Sequence, residues 1–235
     1  MATKSLIIIP TYNEKENVES IINTVLQLDT DFNVLIVDDG SPDGTAAIVK
    51  SMQQNNDRLF LLERKGKQGL GTAYIAGFKY GLQSGFDLIF EMDADFSHPP
   101  AKLIELKNAC IQGADLAVGS RYVKGGKLEN WPLDRILMSK GASMYVRLIT
   151  GIPVKDTTAG FVCYKRKVLE TLNLDAIQFI GYAFQIEMKY KTWKAGFKLV
   201  EVPITFKDRE KGNSKMSAGI FSEAFGGVWK MRFDN

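Results

Sequence analysis

Two aspartates, one residue apart, follow a short apolar run in the middle of the chain. The run Leu88-Ile89-Phe90 leads into Glu91-Met92-Asp93-Ala94-Asp95. Carboxylate oxygens are the ligands that Mg²⁺ and Mn²⁺ prefer, and Mg²⁺ commonly uses one or two carboxylates together with substrate phosphates. A D-x-D tripeptide is common by chance, but this one ends a predicted strand. We therefore predict that Asp93 and Asp95 hold one divalent cation, Mg²⁺ or Mn²⁺, beside a diphosphate.

Two earlier apolar runs also end in polar segments. The run Ser5 to Ile9 leads into Pro10-Thr11-Tyr12-Asn13-Glu14, and the run Asn33 to Val37 leads into Asp38-Asp39-Gly40-Ser41-Pro42-Asp43-Gly44-Thr45. Ligands bind beyond the carboxyl ends of strands in an open parallel sheet, so both segments are candidates for a nucleotide pocket. The alternative for the first is a plain strand exit in which Asn13 caps the next helix. Asp43 or Thr45 could likewise be a cap, but capping does not explain Asp38 and Asp39.

A glycine-rich segment lies between the second and third acidic strand ends. Gly66-Lys67-Gln68-Gly69-Leu70-Gly71 has neither the glycine spacing of a dinucleotide site nor the Gly-Lys-Ser/Thr of a P-loop. We predict close backbone packing at a helix start, with Lys67 near a ligand.

Composition narrows the chemistry further. The 235 residues include 30 Lys+Arg, 27 Asp+Glu, one histidine and two cysteines, and 45% of them are hydrophobic. One histidine excludes a histidine-rich zinc site, so a metal must depend on carboxylates. Two cysteines are too few for a disulfide scaffold, which favours a cytoplasmic setting. The net charge of +3 is too small to indicate nucleic-acid binding.

Short β-branched runs alternate with helical patterns through the first half of the chain. The predicted strands are residues 5–9, 33–37, 59–62, 87–92 and 115–118, and Val18, Ile21, Ile22, Val25 and Leu26 form one helical stripe. This alternation predicts an α/β fold with a mostly parallel central sheet flanked by helices. The second half predicts helices at 133–150 and 182–195 and strands at 161–164 and 199–206, with Pro203 marking an edge or bulge. No linker is evident, so we expect a single domain.

Together these motifs resemble the family 2 glycosyltransferases of the GT-A fold and, more narrowly, the dolichol-phosphate (polyprenol-phosphate) mannosyltransferases. The resemblance rests on PTYNE at 10–14, VDDGSPDGT at 37–45, KQGLGTAY at 67–74, DADFSHPP at 93–100 and GSRY at 119–122. It continues with WPLDRILMSKGA at 131–142, KDTTAGFVCY at 155–164, GYAFQIEM at 181–188 and EVPITFKDREKGNSK at 201–215. It implies one GT-A domain over 1–235, with a nucleotide- and metal-binding half (1–125) and an acceptor half (126–235).

The implied activity is inverting transfer of mannose from GDP-mannose to a polyprenyl monophosphate, which yields polyprenyl phosphomannose and GDP. The residues that the resemblance places in the nucleotide-sugar site are Pro10, Tyr12, Glu14, Val37, Asp39, Asp93, Ala94, Asp95, Arg121, Arg209 and Lys215. Those it places at the reacting groups are Asp95, Arg121, Arg135, Arg209 and Lys215. Guanidinium groups pair well with phosphate oxygens, which suits the arginines to this role. Ser97 is a departure, because some relatives supply an amide there as an additional metal ligand.

An acceptor phosphate is already anionic, so the implied reaction needs no dedicated general base. His98 is the one histidine that could be offered for that role. Because it lies between Ser97 and Pro99, we expect a loop residue near the site instead.

A lipid acceptor requires contact with a membrane, although no stretch approaches the roughly 20 apolar residues of a span. Ile220, Phe221, Ala224, Phe225, Val228 and Trp229 fall on one helical stripe, with Lys230 and Arg232 beside it. This pattern is typical of an interfacial amphipathic helix, and packing of the stripe onto the domain is the alternative. We expect peripheral association with the cytoplasmic face of a membrane, with a small membrane partner protein as in some relatives.

Two other functions remain open at this point. One is a polyprenyl-phosphate glycosyltransferase that uses another sugar nucleotide, such as UDP-glucose. The other is a sugar-nucleotide-binding regulator without activity, which the intact aspartate pair argues against. A processive polysaccharide synthase is disfavoured because no Gln-x-x-Arg-Trp motif occurs.

Overall fold

The computed structural model describes residues 3–208 and 220–233, in which strands and helices alternate. The strands are β1 (Ser5–Thr11), β2 (Phe32–Asp38), β3 (Leu59–Glu63), β4 (Leu88–Glu91), β5 (Leu116–Ser120), β6 (Lys127–Glu129), β7 (Val162–Lys165), β8 (Leu199–Pro203) and β9 (Thr205–Lys207). The helices are α1 (Val18–Leu28), α2 (Thr45–Gln53), α3 (Leu70–Gln83), α4 (Lys102–Ile111), α5 (Leu133–Thr150), α6 (Arg166–Thr171), α7 (Tyr182–Lys194) and α8 (Ile220–Phe233), with a 3₁₀ turn at Leu174–Ala176. The five strands predicted in the first half are confirmed, with ends that differ by at most two residues.

Seven strands form the central sheet in the order β3-β2-β1-β4-β7-β5-β8. Neighbouring strands are parallel except that β7 runs antiparallel to both β4 and β5. This confirms the mostly parallel sheet flanked by helices. One edge of the sheet therefore collects the carboxyl ends of β1, β2, β4 and β5 together with the segment that leads into β7.

The sheet is apolar on both faces because helices cover both of them. On one face, Val18 and Ile21 of α1 and Leu103 of α4 pack against strand residues such as Phe90. On the other face, Tyr74 and Phe78 of α3 and Phe184 of α7 form a second cluster. No described helix combines the length and the apolar character that crossing a membrane would need.

One detail of the second half differs from the prediction. The prediction of a single strand at 199–206 is wrong. The chain leaves the central sheet after Pro203, and β9 pairs with β6 in a separate two-stranded sheet. Proline lacks the N–H that would continue a ladder, which explains the break.

Two members of the apolar stripe predicted for the C-terminal helix lie in different environments. Val228 and Met231 of α8 are buried against Val146 of α5, whereas Trp229 is 51% exposed and Phe233 is 69% exposed. The remaining members of that stripe are Ile220, Phe221, Ala224 and Phe225, whose side chains lie outside the described part of the structure. Packing on the domain thus accounts for Val228.

Candidate active site

The acidic segments predicted at strand ends all lie at the same edge of the central sheet. They follow β1, β2 and β4, which are parallel neighbours. The segment at 156–160 reaches this edge because β7 runs in the opposite direction, and Arg121 lies directly after β5. The predicted site residues Arg209 and Lys215 lie outside the described residues.

The two adjacent aspartates at the end of β2, Asp38 and Asp39, have different environments. Asp38 accepts hydrogen bonds from the Thr11 hydroxyl (2.9 Å) and from the backbone N–H and hydroxyl of Ser41 (2.9 and 2.6 Å). These contacts join the ends of β1 and β2 and fold the turn that follows. Asp43 accepts from the backbone N–H and hydroxyl of Thr45, the first residue of α2 (3.0 and 2.6 Å). The N-cap position itself is Gly44, so neither Asp43 nor Thr45 is the cap.

Asp39 forms a buried ion pair with Arg64, which follows β3. Nε of Arg64 lies 2.7 Å from Oδ1 of Asp39, and Nη2 donates to Oδ2 at 3.2 Å. Burial raises the pKa of the Asp39 carboxyl, although the guanidinium opposes that shift. The pair presents a fixed polar group at the ends of β2 and β3.

The segment after β1 is compact. Glu14 is buried and accepts from the side-chain amide of Asn17 (2.9 Å), while its own N–H donates to the hydroxyl of Thr45 (3.1 Å). Asn17, not Asn13, is the residue that precedes α1, so the capping alternative for Asn13 is wrong. Pro10 and Tyr12 are partly exposed at this edge, whereas the side chain of Val37 is completely buried in the core.

The glycine-rich segment packs as predicted. A Cβ on Gly71 would lie 2.8 Å from the ring of Phe184, and the backbone N–H of Gly71 donates to the carbonyl of Ile180 at 2.9 Å. Only glycine allows α3 to begin this close to α7. Lys67 lies 5.4 Å from the ring centre of Tyr12, which brings its ammonium group to the segment after β1.

The two aspartates of the D-x-D motif are held differently. The side chain of Asp93 is 41% exposed, and its Oδ1 accepts from the buried Tyr74 hydroxyl at 3.5 Å. Asp95 is buried, and its Oδ1 accepts from the backbone N–H of Ser97 at 3.1 Å. Ala94 between them is buried in the core, which fixes the segment.

This donor set fits a hard divalent cation that is shared with a phosphate. Within residues 3–208 and 220–233, no group of three or more acidic, histidine or cysteine side chains could hold a metal ion. Two carboxylates suffice for Mg²⁺ when substrate oxygens complete its coordination. Asp93 and Asp95 are therefore suited to a cation that arrives with a diphosphate.

His98 supports the D-x-D segment through a hydrogen bond and through ring stacking. Its Nδ1 accepts the backbone N–H of Asp93 at 3.1 Å, and its ring stacks on Phe161 with centroids 5.0 Å apart. Burial lowers the pKa of His98 to about 4, so the imidazole is neutral at pH 7 with its proton on Nε2. A buried ring with Nδ1 already engaged agrees with the expectation that His98 is not a general base.

Replacing His98 with phenylalanine should destabilise the fold by about 1–3 kcal/mol. The new ring retains stacking on Phe161, but the Asp93 N–H loses its acceptor. Urea unfolding of both proteins measures the difference. A change below about 0.5 kcal/mol would contradict this role of the imidazole.

Arg121 is locked in place by a carboxylate. Its Nε and Nη2 donate to the two oxygens of Asp156 (2.7 and 2.6 Å), and its backbone N–H donates to the same side chain at 2.9 Å. Nη2 also donates to the Thr158 hydroxyl at 3.0 Å. Asp156 is fully buried, and backbone N–H groups at 155 and 156 donate in turn to Glu201. Arg121 thus joins the end of β5 to the segment before β7.

Arg135 is held less tightly than Arg121. Its guanidinium carbon lies 3.8 Å from the ring centre of Trp131, and Nη1 lies 3.2–3.3 Å from the carboxylate oxygens of Asp208. Trp131 also faces the Arg121 guanidinium at 5.7 Å, so one indole lies beside both arginines. The structure therefore brings Arg121 and Arg135 together.

The sequence interpretation gave no role to Asp156 or Trp131. Both stand inside the motifs KDTTAGFVCY and WPLDRILMSKGA, which were the only signal for them. Their function as partners of arginines depends on contacts between distant segments. The spacing of residues along the sequence does not indicate such contacts.

Solved structures share the fold of this chain. Glucosyl-3-phosphoglycerate synthase from Mycobacterium tuberculosis, in complex with phosphoglyceric acid, superposes with a TM-score of 0.74 at 15% identity, over 98% of this chain and 80% of that one. The mannosyltransferase PcManGT from Pyrobaculum calidifontis, in complex with GDP-Man and Mn²⁺, superposes with a TM-score of 0.60 at 15% identity, over 98% of this chain and 70% of that one. The fold is that of the GT-A glycosyltransferases.

Sequence comparison gives the family. The model for glycosyl transferase family 2 matches residues 6–172, so the chain belongs to that family. The polyprenol monophosphomannose synthase of Mycolicibacterium smegmatis is 47% identical over 222 residues, which are 94% of this chain and 84% of that protein. The undecaprenyl-phosphate mannosyltransferase of Micrococcus luteus is 46% identical over 219 residues, which are 93% and 90% of the two chains.

Proposed function

We propose that this glycosyltransferase moves mannose from GDP-mannose to a polyprenyl monophosphate with inversion at the anomeric carbon. The observation that carries the proposal is the placement of an acidic pair, Asp93 and Asp95, at the same sheet edge as Arg121 and Arg135. An acidic pair with a cation suits a donor diphosphate, and guanidinium groups suit an acceptor phosphate. The names of the two relatives support mannose as the sugar and a polyprenyl phosphate as the acceptor.

The donor nucleotide would lie over the ends of β1 and β2. Pro10 and Tyr12 are partly exposed there, Glu14 and Asp39 supply fixed carboxylates, and Lys67 faces Tyr12. The Asp39–Arg64 pair is a rigid polar group for a ribose or base. The side chain of Val37 is buried in the core and would support the end of β2 beside the nucleotide.

Asp93 and Asp95 would hold the Mg²⁺ or Mn²⁺ ion, with donor diphosphate oxygens as the other ligands. When bound, such an ion neutralises charge that develops on the departing diphosphate. Ala94 and His98 keep the two carboxylates in place through core packing and the hydrogen bond to the Asp93 N–H.

The acceptor phosphate would be oriented by Arg135, whose partner Asp208 is half-exposed and can be exchanged for a phosphate. Arg121, whose charge is balanced by Asp156, would hold the adjoining surface in place. The phosphate oxygen attacks the anomeric carbon as an anion, so no base is needed. One direct displacement inverts the configuration, and an α-linked donor would yield a β-linked product. Arg209 and Lys215 belong to the proposal as further phosphate contacts.

Donor choice separates this proposal from a UDP-glucose transferase. Calorimetric titration with GDP-mannose and UDP-glucose in Mn²⁺ should show at least about tenfold tighter binding of GDP-mannose, a difference near 1.4 kcal/mol. Equal or tighter binding of UDP-glucose would favour the alternative donor. Binding of GDP-mannose without transfer to any polyprenyl phosphate would favour the regulator.

We further propose that the protein meets its lipid acceptor through α5. Leu133, Leu137, Met144 and Leu148 are spaced along one side of this helix and are 60–78% exposed. We call these four residues the α5 apolar face. Lys140 and Arg147, both exposed on α5, border this face. Apolar side chains flanked by basic ones suit an anionic bilayer surface, here that of the cytoplasmic leaflet.

Charges introduced on the α5 apolar face should abolish most vesicle binding. We expect Leu137→Glu/Leu148→Glu to lower partitioning to anionic vesicles at least about tenfold, because burying one leucine contributes about 1.5–3 kcal/mol. Flotation with vesicles containing phosphatidylserine measures it. Ile111→Glu is the matched control, since Ile111 is exposed on α4 and is not part of this face. Equal binding by the double variant and the wild type would contradict this surface.

A further inference from the structure

A buried polar network lies beneath the proposed active site. Glu91 ends β4, and Gln185 and Lys189 belong to α7; all three side chains are at most 3% exposed. The Gln185 amide nitrogen donates to Oε2 of Glu91, and the Gln185 amide oxygen accepts from Nζ of Lys189 at 3.2 Å. One amide therefore bridges an acidic and a basic group.

All three N–H donors of the Lys189 ammonium group have hydrogen-bond acceptors. Besides the Gln185 amide, Nζ donates to the backbone carbonyls of Ala159 (2.6 Å) and Gln185 (3.0 Å). An ammonium group has three N–H donors, and these three acceptors use all of them. Gln185 and Lys189 are four residues apart, so both lie on the same side of α7.

Burial of these groups is costly for the fold. Loss of water raises the pKa of Glu91 and lowers the pKa of Lys189, although the opposite charges favour each other. Replacing a buried charge pair by apolar side chains of similar size is often neutral or stabilising. Stability alone therefore does not explain this network.

The network joins the two sides of the site. Glu91 precedes the D-x-D motif by two residues, and Ala159 belongs to the segment whose Asp156 holds Arg121. Gly160 lies between these parts: a Cβ there would be 3.6 Å from Nε2 of Gln185 and 3.8 Å from Cε1 of His98. A shift of Lys189 would move the segment before β7 relative to the acidic pair.

We propose that Lys189, acting through Gln185, is a positioning residue that sets the D-x-D segment against the 156–160 segment. Donor and acceptor groups would thereby be held at a fixed separation. This inference rests on the proposed function for its meaning in catalysis. Its contacts involve no residue that would touch either substrate.

Three variants of the full chain test it. Lys189→Met leaves Glu91 buried without its cation, whereas Glu91→Gln/Lys189→Met removes both charges. Lys194→Met, at an exposed position of the same helix, is the matched control. The measurements are the thermal unfolding midpoint, GDP affinity with Mn²⁺ and with EDTA, and kcat and KM for mannosyl transfer.

The single variant should unfold at a lower temperature, and the double variant should recover most of that loss. Both should have kcat about 10–100-fold below wild type, because small misplacements of reacting groups have effects of this size. Both should also lose the gain in GDP affinity that Mn²⁺ confers, with affinity in EDTA unchanged. The control should match wild type throughout.

Recovery of both kcat and Mn²⁺-dependent GDP affinity in the double variant would overturn the inference, because a structural role would then suffice. A double variant that does not fold would also overturn it. Wild-type protein that binds GDP with Mn²⁺ but transfers no mannose would instead refute the proposed function. In that case the GDP titrations still decide whether Lys189 positions the D-x-D segment.

Discussion

Replacing Asp95 with asparagine should lower kcat by at least about a thousandfold, which corresponds to about 4 kcal/mol of transition-state stabilisation. The amide removes the negative charge that would help to hold the cation beside the diphosphate. It keeps a side-chain oxygen that can accept the Ser97 N–H, so the fold should be preserved. Steady-state kinetics with saturating donor, together with thermal unfolding, measure both effects.

Asp57→Asn is the control for this prediction. Asp57 is exposed in the turn before β3 and has no part in the proposed site. It should retain wild-type kcat and stability. An Asp95→Asn variant whose kcat stays within about tenfold of wild type would refute the assignment of Asp95 to the cation.

Replacing Arg121 with methionine should destabilise the protein by about 3–5 kcal/mol, because it leaves the buried Asp156 carboxylate without its cation. The comparison variant is Arg135→Met. Arg135 and Asp208 form a partly exposed pair, so its loss should change stability by no more than about 1 kcal/mol. Urea unfolding at pH 7 measures both variants.

The Arg121 and Arg135 variants should also differ in activity. Arg135→Met should reduce turnover while the fold remains intact, because Arg135 is proposed to orient the acceptor phosphate directly. Arg121→Met combined with Asp156→Leu should regain stability, because neither charge then remains. Equal destabilisation by the two single variants would contradict the distinction between a locked and an exchangeable arginine.

Local sequence patterns were sufficient to predict the strands of the central sheet in the first half of the chain. An apolar run of five to seven residues is a buried strand wherever helices cover both faces, so β1 and β2 could be located from sequence. Parallel strands place their carboxyl ends at one edge, which is why the segments after them could be grouped from residue order alone. The D-x-D motif at 93–95 was located in the same way.

Contacts between distant residues could not be predicted from sequence. The Arg121–Asp156 pair spans 35 positions, and the Glu91–Gln185 bond spans 94. Adjacent carboxylates also took different roles, since Asp38 folds a turn while Asp39 pairs with Arg64. Only the location of Ser41 and Arg64 in space distinguishes them.

The C-terminal helix shows the limit of periodicity. Val228 and Trp229 are consecutive, and the helical stripe assigned both to one apolar face. The structure buries Val228 against α5 and leaves Trp229 half-exposed, because the position of α5 decides which part of α8 is covered. Conversely, the α5 apolar face was not recognised, since only the exposure of its four residues identifies it.

The most direct test of the proposed function is the transfer reaction itself. Purified protein is incubated with radiolabelled GDP-mannose and a short polyprenyl monophosphate, in Mn²⁺, in Mg²⁺ and with EDTA, and label in the lipid phase is counted. UDP-glucose and the Asp95→Asn variant are run in parallel. We predict metal-dependent label in the lipid phase from GDP-mannose with the wild type, about a thousandfold lower rate with the Asp95→Asn variant, and no labelled lipid from radiolabelled UDP-glucose. Absence of labelled lipid with GDP-mannose, or a lipid product from UDP-glucose alone, would contradict the proposed function.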